Sequence, residues 1–311
     1  MNYTVEEICY QSSNNINEIK AKVYIPNDLD NVKGIVQIVH GMYEYFDRYK
    51  TFIEYLLSNN YIVCGHDHLG HGNSVRDKED LGYFADKLGY KCLVKDTWHL
   101  TRIMKQRFPN CKYAILGHSM GSFVTRCYMY DYANDVDAVL LSGTIGPIKH
   151  INLAIKILNK YILIKGSKYR SKKIMKVAFS ILKVNIRHAL NKYSWITRDV
   201  NITEEYTKDK KGHFLFTASA YRDLLKLIEQ ANNISNIKKL NKQLPIYIFS
   251  GDKDAIGNNG KGVKEVYDIL KKNKCNVTLK LYPNGRHEML NEINHNKVYD
   301  DILKWLDKNM F

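Results

Sequence analysis

The amino-acid sequence predicts an α/β fold, with a mostly parallel central sheet, helices on both faces and an inserted helical cap. Three observations carry that expectation. Short apolar runs of strand length alternate with stretches of helical periodicity, the pattern of a sheet built from strand–helix–strand units. Several of the runs end in glycine-bearing loops, such as His40-Gly41 and Gly251-Asp252, as the carboxyl ends of buried parallel strands do. The alternation then breaks from about residue 146 to 217, where two basic amphipathic segments intervene.

Residues 3–10 and 18–25 read as the first two strands, joined by an Asn/Ser-rich turn at 12–15. Residues 34–40 form a buried strand, and Phe52, Ile53, Leu56 and Leu57 have helical spacing. Residues 61–65 form the next strand, which runs into the polar, glycine-rich loop 67–74. A helix follows over 91–107, with Val94, Trp98, Thr101 and Met104 on one side. The apolar run Tyr113-Ala114-Ile115-Leu116 leads directly into Gly117-His118-Ser119-Met120-Gly121, and a helix starts at Ser122 and runs to about 131. Residues 138–142 are another strand. Helices over 151–164 and 173–190 form the cap, each apolar on one face and lysine-rich on the other. Beyond it come a helix at 218–231, a strand at 245–250, a helix at 261–272, a strand at 276–282 and a last helix to 309. The organisation is therefore core 1–145, cap 146–217 and core 218–311.

The chain of 311 residues carries a formal net charge of +15. Only ten of its 47 cationic side chains are arginines, the residue suited to bidentate phosphate and base recognition, so nucleic acid is not the expected partner. From residue 138 to 198 there is no Asp or Glu, while that stretch holds thirteen Lys and Arg. The excess charge is thus concentrated in the cap, which is expected to touch an anionic membrane with its basic face. Six scattered cysteines with no Cys-x-x-Cys pair read as reduced thiols. The opening residues lack the basic-then-apolar pattern of a signal peptide and no apolar run reaches about 18 residues, so the protein is expected in the cytoplasm, at most peripheral to a membrane. The cysteines are not expected to hold a metal; the oligomeric state is left open.

The chemistry centres on Ser119. A serine between two glycines on a strand-to-helix turn has its hydroxyl pushed out above the sheet, and the new helix aims backbone N–H groups at whatever it attacks. A serine hydroxyl needs a base to take its proton, and the base needs a carboxylate to orient it. His287 stands after the last strand, and Asp254 and Asp252 both stand after the strand before it, in the chain order Ser–Asp–His. The N–H of Met120 is one expected donor to an oxyanion. Met42, after His40-Gly41, is the natural second. His40 is expected to order its loop, and loop 67–74 to buttress the edge of the site.

The series His40-Gly41-Met42-Tyr43-Glu44 … Arg48-Tyr49, Asp67-x-x-Gly70-His71-Gly72-x-Ser74, Gly117-His118-Ser119-Met120-Gly121, Gly251-x-x-Asp254 and Tyr282-Pro283-x-x-Arg286-His287-Glu288 resembles the monoacylglycerol lipase and bacterial lysophospholipase branch of the α/β-hydrolases. The resemblance runs from about residue 18 to the C-terminus. It implies an α/β-hydrolase fold and a cofactor-free serine hydrolase of single-chain lipid esters. It also implies Ser119 as nucleophile, Asp254 rather than Asp252 as the acid, His287 as base, and Met42 and Met120 as oxyanion donors. Trp195-x-x-Arg198-Asp199 with Phe214-x-Phe216-Thr217 resembles the return from the cap in lysophospholipase-like members. Met42 and Tyr43 are bulkier than that family's usual residues, and Lys210-Lys211-Gly212-His213 replaces a more apolar stretch. A peptidase or thioesterase on the same scaffold is the alternative, and a binding protein that kept the fold without the chemistry is a third.

Overall fold

The computed structural model describes residues 3–181 and 193–311. Its strands are β1 (Tyr3–Gln11), β2 (Glu18–Pro26), β3 (Gly34–Val39), β4 (Tyr61–His66), β5 (Lys112–His118), β6 (Ala138–Ser142), β7 (Ile246–Gly251) and β8 (Val277–Tyr282). All eight coincide with sequence-predicted strands. They form one sheet in the order β1-β2-β4-β3-β5-β6-β7-β8. β1 pairs antiparallel with β2, and β2 antiparallel with β4; the remaining pairs are parallel.

The inner parallel strands β3 to β7 are apolar at nearly every position because both their faces are covered, whereas the edge strand β8 is only partly buried. In β3, Ile35 and Val39 face one layer while Val36 and Ile38 face the other, and all four are fully buried. The first layer holds α2 (Gly89–Arg107), α3 (Met120–Tyr132), α7 (Ala218–Ala231) and α9 (Lys261–Lys272). The opposite layer holds α1 (Lys50–Leu57) and α10 (His295–Met310), through residues such as Phe52, Leu56, Val298 and Ile302. Each buried Ile, Leu or Phe contributes about 1.5–3 kcal/mol of burial free energy. Gln37, the polar exception in β3, is satisfied: its amide donates to the Thr97 carbonyl at 2.9 Å, and its oxygen accepts from Tyr113 Oη at 2.6 Å and Thr101 Oγ1 at 2.7 Å.

Between β6 and β7 the chain leaves the sheet for α4 (Ile151–Lys165), α5 (Lys172–Ile181) and α6 (Val200–Lys208), then returns through α7 and α8 (Ile234–Lys239). α4 and α5 both pack on α7. The helix expected over 173–190 coincides with α5 as far as Ile181; its later positions, Leu182, Lys183, Arg187 and Ala189 among them, lie outside the described residues. Two short helices were not expected from periodicity. α6 starts where the Asp199 carboxylate accepts from Asn201 N and Ile202 N, and α8 where Asn233 accepts from Ser235 N, so side-chain caps rather than apolar stripes begin them. No helix of the described residues is long and apolar enough to cross a membrane. The six cysteines are unpaired.

Candidate active site

The carboxyl ends of β3, β5, β7 and β8 gather the candidate residues on one edge of the sheet. β5 turns into α3 at Ser119, whose φ of 50° and ψ of −118° lie outside the ordinary regions for a residue with a side chain. Such strain persists only when its surroundings over-determine it. Here Ser119 N donates to Ser142 O at 2.9 Å and Ser122 N to Ser119 O at 2.9 Å. The flanking glycines are steric necessities: a Cβ on Gly117 would lie 2.4 Å from Gly121 O, and one on Gly121 would lie 2.0 Å from Val39 O.

His287 and Asp254 meet in the buried edge beside this turn. His287 Nδ1 lies 3.0 Å from both Asp254 carboxylate oxygens, and both residues are buried. The carboxylate also accepts from Ser250 Oγ at 3.0 Å and Ile256 N at 2.9 Å. Burial alone would raise the Asp254 carboxyl, but the charge and hydrogen bond of His287 and the further donors hold it below its usual range. Burial likewise opposes a charged His287, and the Asp254 charge and hydrogen bond outweigh it, so this imidazole sits above the ordinary histidine value. Asp252, the alternative left open by spacing, is half-buried and accepts from Asn284 N at 2.8 Å, which ties the loop after β7 to the loop after β8.

Met42 and Met120 flank Ser119 from two sides. Met120 is the first residue of α3, and among the described residues no carbonyl accepts from its N–H or from that of Met42. The Met42 loop is pressed onto the serine turn, since a Cβ on Gly41 would lie 3.1 Å from Ser119 Cβ. His40 orders this loop from below: its Nε2 accepts from His68 N at 2.9 Å and its Nδ1 lies 2.8 Å from Gly41 O. The buttressing loop is fixed by Asp67, which accepts from Phe46 N at 2.9 Å and Asn73 N at 2.7 Å.

Ser119 and His287 line one cavity. Its other walls include Met42, Phe123, Ile145, Phe179, Trp195 and Leu224, so the space beside the hydroxyl is largely apolar. Tyr43 also lines it; its hydroxyl lies 2.9 Å from Tyr221 Oη and its ring meets Phe214 and Phe216 edge-on.

Several residues of the site carry no role that spacing could assign. Glu44, Arg48 and Glu288 stand inside the motif series, but only the fold brings them together. Arg48 Nη2 donates to Glu288 Oε2 at 2.8 Å, Tyr49 Oη donates to Glu44 Oε2 at 2.9 Å, and the guanidinium stacks on the Tyr206 ring at 4.6 Å. Burial and then the charge of Glu288 push the Glu44 carboxyl up to about 7. Glu44, His118 and Glu288 offer atoms within 4.8 Å of one another, yet Arg48 already supplies the positive charge that Glu288 faces. Trp195 is another such residue, its ring 5.6 Å from that of His287.

Residues 30–294 match the Hydrolase_4 family, described as serine aminopeptidase, S33. The chain belongs to this family. A monoglyceride lipase homologue of Monkeypox virus is 24% identical over 284 residues, covering 88% of this chain and 89% of the relative. A monoacylglycerol lipase of Mycolicibacterium smegmatis is 24% identical over 275 residues, covering 88% of each. Among solved structures, a thermostable carboxyl esterase from Bacillus coagulans in complex with glycerol superimposes with a TM-score of 0.90 at 26% identity, covering 100% of both chains. The chain is an α/β-hydrolase of the monoacylglycerol lipase branch, as the motif series implied.

Proposed function

We propose that this carboxylic ester hydrolase cleaves esters of single-chain lipids, monoacylglycerol or lysophospholipid, through an acyl-enzyme on Ser119. The observation that carries the reading is the shared cavity: a strained, outward-facing serine and a carboxylate-held histidine open into one mainly apolar space. An acyl chain suits such walls, while the chemistry needs only the serine, a base and oxyanion donors. His287 takes the Ser119 proton as Oγ attacks the ester carbonyl, and Asp254 orients the imidazole and stabilises its cation. The N–H groups of Met42 and Met120 receive the oxyanion. His287 then protonates the leaving glycerol or glycerophospho oxygen. Water activated by the same histidine attacks the acyl-enzyme and frees the fatty acid. Residues 146–217 act as the cap over this cavity, contributing Phe179, Trp195 and Tyr206 to its walls.

The family's description as a serine aminopeptidase keeps an amide substrate as the second reading. One assay separates the two. Fatty acid released from monoacylglycerol and from lysophosphatidylcholine is measured side by side with aminoacyl-amide cleavage, for wild type and Ser119→Ala. Release of fatty acid that vanishes in the folded variant supports the proposal, and the ratio of the two lipids names the head group. Amide cleavage without fatty-acid release refutes it.

A further inference from the structure

Tyr43 holds a backbone conformation that a large side chain rarely adopts. Its φ is 64°, in the left-handed region where the Cβ of an L residue crowds the following carbonyl. Among the described non-glycine residues with positive φ, only Tyr43 and Ser119 line the cavity. The strain at Ser119 belongs to the turn that exposes its hydroxyl. A mere wall of the cavity would need no strain at Tyr43, because a ring can be placed there from an ordinary backbone. Such strain persists where the surroundings over-determine it, and three contacts do so here. The Tyr43 hydroxyl lies 2.9 Å from that of Tyr221, a buried residue in the first turn of α7. The ring meets Phe214 and Phe216 edge-on, with centroids 5.3 and 5.1 Å away. The carbonyl is covered by Gly212, where a Cβ would lie 2.9 Å from the oxygen. The segment behind the ring is itself fixed: Thr217 N donates to Gly82 O at 2.9 Å, and Phe216 packs on Phe84 and His71.

Met42 stands directly before this residue. On its other side Gly41 is pressed onto the serine turn, 3.1 Å from Ser119 Cβ to the Cβ position of the glycine. Met42 is therefore suspended between two fixed points. We infer that Tyr43 is a positioning residue: clamped by Tyr221 and residues 214–216, it holds the turn at 42–43 left-handed and keeps the Met42 N–H on the oxyanion. Freed of those contacts, a tyrosine relaxes to an extended or right-handed backbone, and the turn opens. Met42 moves with it, while Met120, the first residue of α3, does not. The inference rests on the proposed acyl transfer at Ser119, with Met42 as one of its two donors.

The test compares Tyr43→Ala with Tyr43→Gly. Both lose the same wall of the cavity, but glycine accepts the left-handed turn without strain and alanine does not. Two rates are read on folded protein, beside a thermal melt. One is steady-state hydrolysis of a soluble chromogenic ester. The other is phosphonylation of Ser119 by a fluorophosphonate, whose phosphoryl oxygen needs the same N–H groups. Loss of a whole oxyanion donor costs about 10²–10³ in kcat, so a displaced one is expected to cost Tyr43→Ala about 10- to 100-fold and Tyr43→Gly about ten-fold less. Phosphonylation is expected to follow kcat, and KM to change equally in the two variants. Equal kcat in alanine and glycine variants overturns the inference, as does a difference confined to KM. Should Tyr43→Ala not fold, Tyr43→Phe and Tyr221→Phe decide. Each removes one end of the same hydrogen bond, so each is expected to slow phosphonylation by about two- to ten-fold, and the double variant by no more than either alone. Undiminished rates overturn the inference. A wild type that is phosphonylated but cleaves no ester, with alanine slower than glycine, keeps the inference and refutes the esterase reading; ester cleavage with equal rates in both variants does the reverse. A wild type that does neither refutes both.

Discussion

Gly143 offers a test of how closely the His287 ring must be held. It follows β6 with a φ of +59°, and a Cβ built on it would lie 2.8 Å from His287 Cε1 and 3.0 Å from Nδ1. An unstrained carbon–carbon contact is about 3.6 Å, so Gly143→Ala would drive the ring back by roughly 0.8 Å. The ring cannot swing freely, because its Nδ1 is held by the Asp254 carboxylate at 3.0 Å. Misplacement of a reacting group by about 1 Å lowers a rate by about 100-fold, so kcat is expected to fall by one to two orders of magnitude. The left-handed backbone would add about 1–2 kcal/mol of strain that affects stability alone. Gly166→Ala separates the two effects. Gly166 has φ +89° and ψ 159°, and nothing lies within 4 Å of its Cβ position. Its substitution imposes about 1–3 kcal/mol of strain with no pressure on the site. The assay is steady-state hydrolysis of a soluble chromogenic ester beside a thermal melt. Both variants should melt a few degrees lower, and only Gly143→Ala should lose kcat. Equal kcat in the two variants would refute the reasoning, because steric pressure on His287 would then have no catalytic consequence.

On the proposed mechanism, Asp254→Asn should lower kcat by about 10⁴-fold with the fold retained, the loss expected when an orienting carboxylate becomes an amide. The same variant should move the acid limb of the kcat/KM profile to lower pH: Asp254 raises His287, the base acts only when neutral, and without that charge burial pulls the imidazole down. An unmoved limb would exclude Asp254 as the cause. Acid stability is set elsewhere. His40, His66, His68, His71 and His118 are all buried and held neutral by burial, with His66 near 3 and His71 near 4. The unfolded chain protonates its histidines at about 6.5, so each of the five withdraws stability as the pH falls from there toward its folded value. Glu44, held near 7, and Asp223, near 6, bind protons more readily in the folded state and offset up to two of the five. Asp67 and Asp96, also raised by burial, add to that offset, and the five histidines leave a net loss of stability as the pH falls from about 6.5. Urea midpoints measured from pH 7 to pH 4 check this, and a flat profile would contradict it.

The strands were legible because a parallel strand covered on both faces has to be apolar at nearly every position, and β3, β5 and β7 are. Ser119 was legible for a similar reason: the turn admits no side chain at 117 or 121, so the glycines mark it. α6 and α8 escaped because they have polar sequences and are begun by single capping residues, Asp199 and Asn233. The Glu44–Arg48–Glu288 cluster escaped for another reason. Arg48 and Glu288 are 240 residues apart, and no periodicity in either segment signals the other. The surplus charge of residues 138–198 was visible in composition, but the packing of α4 was needed to decide which of its apolar residues face outward.

The seam between the insertion and the histidine loop shows how one part of the chain can tune the other. Residues 194–197 run beside 286–292: Glu288 N donates to Ile196 O at 2.8 Å, Thr197 Oγ1 to Asn291 O at 2.8 Å, and Arg286 to the carbonyls of Ser194 and Thr197. Arg198 closes the seam on the buried Glu292, at 3.0 Å. Asp254 holds His287 by its Nδ1 and fixes the direction of the ring; the seam fixes the height of the loop on which it stands, and Trp195 lies beside the ring itself. The loop of His287 is thus tied to residues 194–198 by one backbone hydrogen bond and by the side chains of Thr197, Arg198 and Arg286, in addition to its attachment to β8.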